Sequence, residues 1–140
     1  MSKLRFVVLS SFLLVIAAVM LACGGLNHSL YKSVTVSPAN ADAKNYPNGQ
    51  VQFTATGTEI NGTQVKPLAS FWTSGPPWVP VSADPLTGIQ LDQTGLVSCG
   101  TAAPGSFMIV ATVPIDPSVP VSKITATTPQ VSGAAVLTCP

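Results

Sequence analysis

Residues 91–113, LDQTGLVSCGTAAPGSFMIVATV, constrain the fold more than any other stretch of the chain. They hold two runs of strand character, at 96–99 and 106–113, and no helical periodicity. Asp92-Gln93-Thr94-Gly95 leads into the first run as a turn, with Gly95 suited to positive φ. The second run puts Phe107, Ile109, Ala111 and Val113 on one face, because alternate residues of a strand share a side. Strands with one apolar face must bury it against another layer, which leads to a sandwich.

The rest of the chain repeats this grammar. SVTVS at 33–37 alternates and stops at Pro38, and 38–48 is rich in turn residues. QVQFTAT at 50–56 alternates again, with Val51, Phe53 and Ala55 toward a core and Gly57 ending the run. Asn61-Gly62 is a hairpin signal. In LASFWTS at 68–74, Phe71 and Trp72 face opposite ways, and Trp72 is the expected core anchor. GPPWVP at 75–80 has too many prolines for a central strand, so Trp78 lies on a loop. There it is either a candidate ligand contact or a cap on the sandwich end. Short strands follow at 89–91 and 96–99. Residues 114–133 form a long Pro-rich loop with a strand expected at 123–127, and 134–139 make the last strand. The expected fold class is all-β: an antiparallel β-sandwich over 33–140.

The first 22 residues read as an export signal: Lys3 and Arg5, then an apolar run from 6 to 22. Leu21-Ala22-Cys23-Gly24 resembles the lipobox of bacterial lipoproteins, although Met20 stands where that pattern usually has Leu, Val or Ile. The resemblance implies cleavage before Cys23 and a lipid on its sulfur, hence attachment to a membrane. An uncleaved anchor and plain secretion are the other readings. Gly24 is not the Asp that retains some lipoproteins at the inner membrane, which favours the outer membrane or cell surface. Residues 23–32 read as a flexible tether. With Cys23 lipidated, Cys99 and Cys139 remain as a pair, and an oxidising compartment makes a disulfide the expectation.

The chemistry-bearing residues are few. Only 8% of the chain is charged, and beyond residue 22 four lysines face five acids. No basic cluster remains to hold a phosphate backbone, so nucleic acid is excluded as a partner. The single histidine, His28, sits in the tether, away from any Ser-His-acid arrangement, and no GxSxG is present. Asp84 and Asp92 could pair at a loop end around calcium, but Asp92 is better read as a turn residue. Asn27-His28-Ser29 and Asn61-Gly62-Thr63 match a glycosylation sequon, without further support. No catalytic residue, metal or cofactor is expected.

Taken in order, SVTVSP, VQFTATGT, FWTS, LDQTGLVSCG and GSFMIVATV resemble the bacterial immunoglobulin-like group 2 domain, over about residues 33–113. The Pro-rich loop at 75–88 and the long segment after Val113 depart from that pattern. The resemblance implies an immunoglobulin-like sandwich used as a spacer or adhesive module on the cell envelope, without a catalytic site. The competing expectation is a binding module that recognises envelope glycan, protein or peptide through Trp78.

Overall fold

The computed structural model describes residues 29–75, 88–100 and 104–140. Ten strands run along the described chain: β1 (Tyr31–Ser37), β2 (Asn40–Asp42), β3 (Gln50–Gln52), β4 (Thr54–Glu59), β5 (Gln64–Val65), β6 (Phe71–Ser74), β7 (Ile89–Leu91), β8 (Leu96–Cys99), β9 (Gly105–Pro114) and β10 (Gln130–Cys139). Only 3₁₀ turns accompany them, at Ala43–Asn45, Pro47–Gly49 and Val121–Lys123.

The strands build two layers. In one, β4 pairs with β1 and with the short β5, while β8 pairs with β3 and β7. β3 and β4 act as one strand interrupted at Phe53, whose N–H donates to the Gly95 carbonyl at 2.9 Å. The layer therefore reads β1, β3/β4, β8, β7. In the other layer the order is β2, β10, β9, β6, all antiparallel except for β2 beside β10. These are the strand neighbours of an immunoglobulin-like sandwich, with the chain crossing from the first layer to the second between β1 and β2. The Ser37–Pro38 peptide at that crossing is cis.

Period-two patterning places the core. Val51, Phe53 and Ala55 are buried from the first layer, as their alternation requires. Ile109, Ala111 and Val113 of β9, with Ala135 and Leu137 of β10, face them from the second. Trp72 is 3% exposed, and Phe71, on the other side of β6, is half-buried. Gly133 allows the layers to close. A Cβ there would clash with the Val34 carbonyl oxygen, so only glycine lets β10 pass β1 at this spacing.

The structure moves several boundaries. β4 runs through Gly57 to Glu59 instead of stopping at the glycine, because Gly57 pairs with Val34 on one side and Val65 on the other. The strand expected at 123–127 is absent: Val121–Lys123 is a 3₁₀ turn, and Thr125 bonds within its own loop to Thr128. β10 instead starts at Gln130, where Gln130 to Gly133 find partners at Pro114 to Ala111. β1 begins at Tyr31, two residues inside the stretch read as tether. β2 lies within the expected turn region and takes its partner from β10, at Asn40 to Asp42.

Candidate functional site

The sandwich is pinned at one end by a covalent bond. Cys99, the last residue of β8, and Cys139, the last of β10, form a disulfide with Cα atoms 5.7 Å apart. It joins the two layers, since β8 and β10 belong to different sheets. Antibody domains bridge a different pair of strands, so the staple here has moved to the end of the sandwich. Beside it lies an open cleft of about 460 Å³ lined by Ala43, Lys44, Tyr46, Gly49, Cys99 and Pro140. Lys44 Nζ lies 2.9 Å from Asp42 Oδ2 near that cleft, and the Lys44 bond holds the Asp42 carboxyl below its usual range. Such an exposed pair is screened by water and leaves no charge poised for chemistry.

Asp92 holds the β7–β8 turn through one carboxylate oxygen. Its Oδ1 accepts from the Thr94 hydroxyl at 2.6 Å, the Thr94 N–H at 2.8 Å and the Leu96 N–H at 3.0 Å. These bonds favour the charged form, the Thr94 hydroxyl most, and lower the Asp92 pKa. Asp92 is thus a turn-forming residue, as its position before Gly95 suggests.

A second cleft, about 360 Å³, runs beside Trp72 along Gln52, Leu68, Ser70, Gln93 and Thr94. Its amides point at backbone. Gln52 Nε2 donates to the carbonyls of Phe53 at 2.9 Å and Thr94 at 2.8 Å. Gln93 Oε1 accepts from the Trp72 N–H at 3.2 Å, and Gln93 Nε2 donates to the Trp72 carbonyl at 3.3 Å. Those Trp72 groups belong to β6, the outermost described strand of its sheet, so the Gln93 amide occupies the place of a neighbouring strand. In the sequence Gln93 is only one residue of the Asp92–Gly95 turn. A glutamine two residues before a glycine carries no signal that its amide will cap a distant edge.

At the end of the sandwich opposite the disulfide, a groove of about 380 Å³ is lined by Tyr31, Val65, Leu68, Pro117, Val119 and Val121, among other apolar residues. Burial, and then the Glu59 carboxylate, push the Tyr31 phenol above its ordinary pKa. Among the described residues no group of three His, Cys, Asp or Glu side chains could hold a metal ion. Of the residues singled out from the sequence, Cys99 and Cys139 are joined. Cys23, His28, Trp78 and Asp84 lie outside the described residues. No protein-family model matches the chain, and no curated protein matches it in sequence.

Proposed function

We propose that this chain is an exported, lipid-anchored protein of the bacterial cell envelope, whose immunoglobulin-like sandwich serves as a structural or adhesive module. The observation that carries the reading is the Cys99–Cys139 bond. A disulfide between the two layers suits an oxidising compartment. It also accounts for two of three cysteines, leaving Cys23 alone directly after the apolar segment that resembles a lipoprotein signal. Two of the four described carboxylates support a scaffold over an enzyme. Asp42 is paired with Lys44 and Asp92 is consumed by a turn.

Metabolic labelling with an alkyne fatty acid tests the reading, comparing wild type with Cys23→Ser. Label on wild type and none on the variant is the expected result. Unlabelled wild-type protein removes the lipid anchor.

A further inference from the structure

The end of the sandwich from which the upstream chain departs carries two of the four exposed large apolar side chains among the described residues; the other two, Met108 and Val136, pair across β9 and β10. Leu30 is 40% exposed and Ile60 is 65% exposed. They are neighbours: the Ile60 N–H donates to the Leu30 carbonyl at 2.9 Å, and the Asn61 N–H donates to Ser29 Oγ at 3.3 Å. The apolar groove through Tyr31, Val119 and Val121 opens at the same end, because the Tyr31 N–H bonds to the Ile115 carbonyl where β9 finishes. Lys32 on β1, Lys66 just after β5 and Lys123 in the β9–β10 connection are exposed. Glu59 at the end of β4 and Asp116 in the β9–β10 connection set two acids against these three lysines. The remaining described lysine, Lys44, is at the disulfide end and paired with Asp42. Exposed aliphatic groups with lysines on the neighbouring segments match a membrane interface, where apolar tips enter the acyl boundary and ammonium groups meet phosphates.

Chain length makes this end the one presented to a bilayer. Cys23 and Ser29 are six residues apart, and an extended chain spans at most about 3.6 Å per residue, so an acylated Cys23 keeps Ser29 within about 20 Å of the interface. The disulfide end is a further ~30 Å away along the ten residues of β9. We propose that the Leu30–Ile60 end of the sandwich docks on an anionic phospholipid surface, holding the domain upright with the disulfide end outward. The proposal rests on the lipid-anchored reading.

The test uses full-chain protein purified from membranes and reconstituted into vesicles of phosphatidylethanolamine and phosphatidylglycerol containing acyl-brominated lipid. Tryptophan is introduced by Ile60→Trp at the docking end, or by Gln50→Trp on exposed β3 near the disulfide. The expected result is at least about twofold quenching of the added fluorescence for Ile60→Trp and none for Gln50→Trp. Changing Lys32, Lys66 and Lys123 to Gln weakens docking by about fivefold per lysine, on phosphatidylglycerol and not on pure phosphatidylcholine. Acylated protein that floats with vesicles yet shows no quenching at Ile60→Trp, or equal quenching at both positions, overturns the docking proposal and leaves the anchor intact. Protein with no acyl mass that does not float overturns the anchor and the docking with it.

Discussion

Breaking the Cys99–Cys139 bond is the most direct probe of how this domain is held together. The bond closes a loop of 40 residues. The chain-entropy relation gives a loss of about 13 cal/mol/K for a loop of that size, or about 4 kcal/mol at 25 °C. A domain of this length has about 5–15 kcal/mol in total, so the bond represents a quarter or more of it. Cys139 is buried and Cys99 half-buried, and replacing both by Ala removes little volume. The loss should therefore come mostly from the freed unfolded chain. Equilibrium guanidinium unfolding of the Cys99→Ala/Cys139→Ala double variant checks this against oxidised wild type. Stability should fall by about 3–4 kcal/mol, and the denaturant slope should rise because the uncrosslinked chain exposes more surface. A loss under about 1 kcal/mol with an unchanged slope would refute the idea that the staple acts by restricting the unfolded chain.

Three smaller perturbations probe single contacts. Gly95 has φ +83°, and a Cβ there would lie 2.6 Å from the Phe53 carbonyl oxygen and 2.8 Å from the Trp72 ring, so Gly95→Ala should cost more than about 2 kcal/mol in thermal or chemical unfolding. Thr73 Oγ1 is buried with no hydrogen-bond partner among the described residues, so Thr73→Val should be neutral or stabilising by up to about 1 kcal/mol; a loss beyond about 0.5 kcal/mol would show that the hydroxyl is used. Asp92 has a lowered folded pKa, so its stabilisation over Asp92→Ala is present above the unfolded carboxylate value of about 3.9 and fades as pH drops through the lower folded value. Denaturation midpoints of the two proteins should run parallel at neutral pH and converge in acid.

How much of this was legible beforehand depends on the range of the interaction involved. The alternation in 50–56 and 106–113 put Val51, Phe53, Ala55, Ile109, Ala111 and Val113 inside, because side-chain period is a local property of a strand. Strands at Ile89–Leu91 and Leu96–Cys99 and the Asp92–Gly95 turn are written in adjacent residues and came out as read. Elsewhere the deciding partner is far away in sequence. The segment at 123–127 has strand-like residues but no strand beside it, whereas Gln130 to Gly133 become strand by pairing with the extended β9. Asn40 to Asp42, among turn residues, become strand because β10 offers an open edge.

The candidate site divides the same way. Cysteine parity suggested that Cys99 and Cys139 belong together, but not that their bond would cross the layers at the end of the sandwich. Leu30 and Ile60 are unremarkable in sequence, thirty positions apart, and form one exposed apolar tip only because β1 and β4 run antiparallel there. The sequence by itself determined that this chain is made of short alternating strands and tight turns, since those follow from neighbours along the backbone. Tertiary structure alone decided which edges met and which glycine had to yield room at Val34. Pairing partners and close approaches are set by residues tens of positions away, and no local pattern encodes them.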